Sequence, residues 1–275
     1  MPRPRASVQP LTNALLQPGG RDKARRMITH QFDAASAIAT IALDSPATRN
    51  ALTMADWHAL GDAVAALGAS AARAVVLTSA HAGMFCSGSH LREIAALADD
   101  AAARAPFRLA MRRAIDTLAG APMPVIAAID GDCHGAGVAL AMAADIRIAG
   151  PRAGFAIPPA KLGISYPQAD LHRLIALVGP GQAARLVFSA APIDAGEAAR
   201  IGLIELTADD PLAQAQAMAA TIAALSLASL TALKQGLADP DLPDSVFDAG
   251  FAHPDFREGL AAFRERRPAR FAPRG

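Results

Sequence analysis

Short apolar runs alternate along the chain with longer segments whose apolar residues recur at helical spacing. Ile38–Leu43 is one such run, closed by Asp44-Ser45-Pro46, and predicts a strand. Thr53 then stands where a helix N-cap belongs, with Asp56 three residues on as an approximate capping box. Trp57, Leu60, Val64 and Leu67 supply the buried face of that helix, and Gly68 fits its stop. Ala74–Ser79 is continuously apolar except at its end, which suits a strand covered on both faces. Val125–Ile129 predicts the next strand.

Residues 96–106 are alanine-rich, end at Pro106, and read as a mobile loop before a helix. That helix buries Phe107, Met111, Ile115 and Leu118, turns Arg108, Arg112 and Arg113 away from this face, and ends at Gly120. Residues 138–144 are apolar all round, which predicts a central buried helix. Residues 145–149 alternate as a further strand. From Pro180 the pattern is mainly helical. Asp194 and Glu197 form an N-cap and N3 pair before Gly202. An alanine- and leucine-rich stretch, about 211–235, follows, and Asp239-Pro240-Asp241-Leu242-Pro243 breaks it. Phe256, Leu260 and Phe263 then share one face of a last amphipathic segment. Strand–turn–helix units to about residue 205, followed by helices, define an α/β chain. The expected division is an extension over residues 1–24, a core over 25–205 and a helical region over 206–275.

Composition narrows the function. A net charge of +1 and 4% aromatic residues give no electrostatic case for nucleic acid or a membrane surface. No apolar run reaches the roughly 18 residues a membrane helix needs; the nearest, residues 126–144, is interrupted by Asp130, Asp132 and His134. Cys86 and Cys133 lack metal-ligand spacing, so no metal site and a reduced, cytoplasmic protein are expected. Residues 1–24 contain Pro, Gly and Arg with few acids, and read as a disordered extension, with a transit peptide as the alternative.

The chemistry concentrates in two glycine-bearing turns, Phe85-Cys86-Ser87-Gly88-Ser89-His90-Leu91 and Asp130-Gly131-Asp132-Cys133-His134-Gly135-Ala136-Gly137. Each follows an apolar strand and leads into a helix. Small residues let backbone N–H groups approach a ligand oxygen, and a helix start adds a positive dipole, so both turns read as oxyanion-hole loops. Neither cysteine has a neighbouring base in sequence, which argues for buried packing rather than nucleophilic attack.

These residues resemble the enoyl-CoA hydratase/isomerase superfamily, the crotonases. Arg49-Asn50-Ala51-Leu52 is similar to its first signature, and Val75-Val76-Leu77-Thr78 with the first glycine turn to its second. Val125-Ile126-Ala127-Ala128-Ile129-Asp130-Gly131, the Gly135–Gly137 turn and Ala144-Asp145-Ile146-Arg147 resemble the third. Residues 155–163, 195–203 and 258–263 complete a match from about 28 to 271. The resemblance implies a ClpP-like spiral of ββα units with a C-terminal trimerisation region, forming a homotrimer or a dimer of trimers. It implies an acyl-CoA thioester as substrate, coenzyme A entering as part of it with no permanently bound cofactor, and a lyase or isomerase of fatty-acid metabolism. The thioester oxygen would accept from the backbone N–H groups of Ser89 and Ala136. Substrate contacts fall at Arg49, Ala51, Ser87, Gly88, Leu91, Arg92, Gly135 and Pro159, with Phe247 and Arg266 reaching CoA from the C-terminal segment.

The chain departs from the family at the positions that matter for hydration. The glutamates that hold water in its hydratases are replaced by Ala139 and Pro159, and neither replacement transfers a proton. His90 stands where the family usually has an aspartate. His90, His134 and Tyr166, the single tyrosine, are the remaining proton-transfer candidates, with Asp170 behind them. Each has a plainer role open to it: solvent-facing for His90, turn packing for His134 and pocket packing for Tyr166. The alternative to an enzyme is a non-catalytic acyl-CoA-binding or structural subunit. A shortened segment between Lys234 and Phe247 removes a helix the family usually carries there.

Overall fold

The computed structural model of the chain describes residues 27–271. The expected extension over residues 1–24 lies outside them. In chain order the elements are β1 (Ile28–Asp33), β2 (Ile38–Leu43), α1 (Met54–Gly68), β3 (Ala74–Ser79), β4 (Met84–Cys86), α2 (Leu91–Ala96) and α3 (Ala101–Ala119). There follow β5 (Val125–Ile129), β6 (Asp132–His134), α4 (Ala136–Met142), β7 (Ile146–Ala149), β8 (Gly154–Ala156), α5 (Gln168–Ser189), β9 (Ile193–Asp194) and α6 (Ala195–Arg200). The chain closes with β10 (Leu206–Thr207), α7 (Pro211–Ala223), α8 (Leu227–Ala238), α9 (Ser245–Ala252) and α10 (Pro254–Glu265).

The strands form a larger sheet, β1-β2-β3-β5-β7-β10, and a smaller one, β4-β6-β8-β9. The pairs β3/β4, β5/β6 and β7/β8 each send one strand to each sheet, and a helix follows each pair. That is the spiral of ββα units. Val75 and Leu77 of β3 face the main core, while Ala74 and Val76 pack outward with Ala215 and Ala219 of α7. Both faces of β3 are therefore covered, which is why its sequence does not alternate. The Thr53 box forms as expected: the Thr53 hydroxyl accepts from the Asp56 N–H at 3.2 Å, and the Asp56 carboxylate accepts from the Thr53 N–H at 2.9 Å. Trp57, Leu60, Val64 and Leu67 are buried.

Several expectations change. Residues 96–106 are not a loop: α3 begins at Ala101, capped by Asp100, whose carboxylate accepts from the Ala103 N–H at 3.1 Å. Alanine's helix propensity and this cap outweigh the single N–H that Pro106 removes. Arg112, away from the buried face as expected, reaches the fully buried Asp170 at 2.8 Å. The buried helix over residues 138–144 starts earlier, at Ala136, because Gly135 takes a positive φ and serves as its N-cap. Residues 211–235 form two helices, α7 and α8, bent by 112°. Ser226 caps the second by accepting from Ser229 and donates to buried Asp255 at 2.6 Å. The core also runs past residue 205, since β10 pairs with β7 and α7 covers the larger sheet. Strand β1 carries no apolar alternation: only Ile28 is buried, and pairing with β2 alone defines it. Among the described residues no single helix is long and apolar enough to cross a membrane.

Candidate active site

The first glycine turn is tied down residue by residue. Gly88 C=O accepts from the Leu52 N–H at 2.8 Å, the His90 N–H donates to Leu52 C=O at 2.9 Å, and the Ser87 N–H donates to Arg49 C=O at 3.0 Å. The Ser89 N–H between them finds no protein acceptor among the described residues. The second turn does the same for Ala136. The Gly135 N–H donates to Ala156 C=O at 2.8 Å, and Ala136, as the first residue of α4, keeps the free N–H that a helix start leaves. Both residues line one cavity of about 1000 Å³. The turns meet because residue 88 has no side chain: a β-carbon there would stand 2.9 Å from the His134 carbonyl oxygen, at a φ of +102°.

Asn50 braces the loop beside the first turn and was not singled out from sequence. It is fully buried in a left-handed conformation. Its side chain accepts from the Ser45 N–H at 2.8 Å and donates to Ser79 Oγ at 2.8 Å and Phe85 C=O at 2.9 Å. The Cys86 thiol donates to Asn50 C=O at 3.1 Å. The signal was present in the Arg49-Asn50-Ala51-Leu52 run, where a buried amide fastens the loop to β4.

The structure gathers most of the expected residues around this one cavity. Ser87, Gly88, Ser89, His90, Leu91 and Arg92 come from the first turn and the start of α2. Arg49 and Ala51 lie beside them. His134, Gly135 and Ala136 face them from the second turn, with Pro159 and Tyr166 from the segment before α5. Phe247 and Arg266 are not among the lining residues. Phe247 is 72% exposed on α9, edge to face with Phe251 at 5.2 Å, and Arg266 sits at the C-terminal cap of α10.

Charge and polarity are unevenly distributed. Arg49, Arg92, Arg104, Arg108 and Lys161 line the cavity, and Asp170 is the carboxylate on its wall. Arg104 spends two donors on the carbonyls of Leu97 and Ala98, both at 2.8 Å; Arg49 pairs with Asp132. Asp170 is held by Arg112 at 2.8 Å and Arg173 at 3.3 Å. Leu97, Phe107, Met111, Leu162 and Ile164 supply an apolar lining. Sequence alone did not single out Arg104, Arg108 or Lys161 for the site, since cations on a helix face or loop carry no mark of the cavity they border.

The proton-transfer candidates differ in setting. The His134 ring is held below the usual imidazole range by burial and, after that, by the Arg49 charge, which favours its neutral form. His90 caps α2 without a side-chain bond, and its Nδ1 is buried with no partner among the described residues. Tyr166 is buried, and its hydroxyl donates to Gly135 C=O at 2.9 Å. Burial pushes the Cys86 thiol up to about 12 and Cys133 well above its ordinary range, so neither is a thiolate near neutrality. Ala139 is fully buried in α4 and does not line the cavity, whereas Pro159 does.

This architecture is shared with known proteins. An enoyl-CoA hydratase/isomerase family protein from Hyphomonas neptunium superposes with a TM-score of 0.84 at 38% identity, covering 90% of this chain and 98% of that one. An enoyl-CoA hydratase from Bacillus anthracis superposes at 0.83 with 26% identity, over 89% of this chain and 98% of that one. The fold is that of the crotonases. The chain belongs to the enoyl-CoA hydratase/isomerase family, whose model matches residues 33–274. Among curated relatives, the "Probable enoyl-CoA hydratase echA6" of Mycobacterium tuberculosis is 35% identical over 245 residues, 86% of this chain and 96% of its own length. The mitochondrial methylglutaconyl-CoA hydratase of Mus musculus is 30% identical over 264 residues, 89% and 82% respectively.

Proposed function

We propose that the chain binds an acyl-CoA thioester and stabilises its enolate between the N–H groups of Ser89 and Ala136. The observation that carries this reading is the pair of unspent amides facing one cavity. Such preorganised donors act where charge develops, and losing one costs about 10²–10³ in rate. The cations at Arg49, Arg92, Arg108 and Lys161 suit the phosphates of CoA, and the apolar lining suits a hydrocarbon acyl group. Standard hydratase chemistry is not part of the proposal, because Ala139 and Pro159 carry no proton and Asp170 is engaged by two arginines. Double-bond migration and decarboxylation pass through that enolate, and thioester hydrolysis through a tetrahedral oxyanion on the same oxygen.

A second reading has its own observation. No wall carboxylate is free of an ion pair among the described residues, which favours an acyl-CoA-binding or structural subunit without turnover. Exposed Phe247, Phe251, Phe256, Leu260 and Phe263 on α9 and α10 support a homotrimer, alone or paired, in either reading. A CoA role for Phe247 or Arg266 then requires the cavity of a neighbouring copy. The free, buried thiols of Cys86 and Cys133 support a reducing, cytoplasmic setting.

Exchange of the α-protons of butyryl-CoA in D2O separates the readings, since it needs an enolate and no second substrate. Exchange above the rate of free butyryl-CoA supports the enzyme. Tight binding without exchange supports the binding protein. Hydration of crotonyl-CoA from pH 6 to 9 is the companion assay, and turnover in the usual enzyme range of about 1–10³ s⁻¹ would overturn the exclusion of hydratase chemistry.

A further inference from the structure

We propose that Tyr166 is a positioning residue of the oxyanion hole, acting through the Gly135–Ala136 peptide; this rests on the reading of the Ala136 N–H as an oxyanion donor. The carbonyl that Tyr166 binds and the N–H that faces the cavity belong to the same peptide group. The Tyr166 hydroxyl donates to the Gly135 oxygen at 2.9 Å, from a side chain buried in the main core. The same oxygen accepts from the Val138 N–H at 3.0 Å and the Ala139 N–H at 3.3 Å. Two consequences follow from elementary amide chemistry.

The first is orientation. Gly135 sits at φ 53° and ψ −119°, where a glycine has other conformations open to it. A rotation that turned the Ala136 N–H out of the cavity would swing the Gly135 oxygen away from the Tyr166 hydroxyl. The tertiary hydrogen bond therefore adds to the Val138 and Ala139 bonds in holding a peptide orientation that local sterics leave free. The second is donor strength. A hydrogen bond accepted by an amide oxygen polarises the N–H on the other side of the bond and strengthens its own donation.

The surroundings keep the phenol in that role. Burial, then the nearby Asp170 charge, hold its pKa well above the ordinary tyrosine range, so it remains a donor wherever the protein works. Its one proton is committed to Gly135. Tyr166 thus contributes to the site through the peptide rather than as one of the proton-transfer candidates that the sequence offered.

The test exploits the fact that the chain contains one tyrosine. Growth on 3-fluorotyrosine replaces this hydroxyl alone by a more acidic, stronger donor, and Tyr166→Phe removes it. The readouts are the infrared carbonyl stretch of bound [1-¹³C]butyryl-CoA and its α-proton exchange in D2O, with CoA affinity and thermal melting as controls. In Tyr166→Phe the carbonyl stretch should move back toward its free value and exchange should fall about three- to tenfold, with affinity for CoA itself unchanged. Fluorotyrosine should move the stretch the opposite way. A folded Phe variant with unchanged stretch and exchange overturns the proposal while leaving the enolate reading intact. If the Phe variant does not fold, an unchanged stretch in the fluorotyrosine protein overturns it. A native protein that binds butyryl-CoA yet neither shifts its carbonyl nor exchanges its protons overturns both.

Discussion

Gly88 and Ala136 meet across the two glycine turns: a β-carbon on Gly88 would stand 3.1 Å from the Ala136 nitrogen. That contact holds two amides from distant stretches of sequence at one cavity. Gly88→Ala should push the turns apart and also strain a backbone at φ +102°. A stability loss of about 1–3 kcal/mol is expected from the strain. Exchange of butyryl-CoA α-protons should fall by about 10²–10³, the value of one oxyanion donor. A variant with native melting and native exchange would show that the two turns are not coupled through residue 88.

Asp170 should matter to the fold far more than surface acids do. It is fully buried between Arg112 and Arg173, whose side chains are themselves mostly covered. Asp170→Asn removes the buried counter-ion that Arg112 and Arg173 share, leaves them only the half-exposed Asp116, and should cost about 1–3 kcal/mol in urea unfolding. Arg113 pairs with Asp62 at 2.7 Å, but both are more than half exposed. Arg113→Ala should change stability by only about 0–1 kcal/mol. Equal effects from the two substitutions would contradict the burial argument.

His134 should titrate below the ordinary imidazole value of about 6.5. Burial is the main cause and the Arg49 charge the second. Arg49→Ala removes a cation and leaves the Asp132 carboxylate 4.0 Å from the ring, so the His134 pKa should rise. The sign for stability follows. On acidification the unfolded chain takes up this proton first, so the contribution of neutral His134 is lost as pH falls through about 6.5 toward the folded value. Imidazole NMR titrations of both proteins read the shift directly, and a lower pKa in the variant would refute the Arg49 assignment.

Glutamates placed at Ala139 and Pro159, the positions where the sequence resemblance puts a hydratase pair, should not act symmetrically. Ala139 is sealed in α4, so Ala139→Glu buries an unpaired carboxylate and should cost roughly 3–5 kcal/mol. Pro159 lines the cavity, so Pro159→Glu should fold close to normally. Unfolding curves and crotonyl-CoA hydration of the single and double variants test this. Hydration by a double variant of native stability would mean that α4 retains room for the missing group.

The helix over Met54–Gly68, its Thr53 cap and its buried face were legible in sequence because each depends on residues a few positions apart. So were the central strands, whose continuous apolar runs report burial on both faces. The glycine turns marked where a backbone must approach something closely. Other features were not legible. Residues 96–106, alanine-rich and ending at Pro106, read as a loop, whereas α3 starts at Ala101 behind the Asp100 cap and buries Phe107 and Met111. At the 112° bend after Ala223, Ser226 meets Asp255, 29 residues away. The partnership of Tyr166 with Gly135 spans 31 residues, and that of Arg112 with Asp170 spans 58. Sequence by itself determined which segments coil, which extend and where small residues open the backbone, because those preferences are local. Tertiary structure alone decided which amides face one another, which charges are paired and which side chains the cavity sees, because closing long loops brings together groups that no local pattern relates.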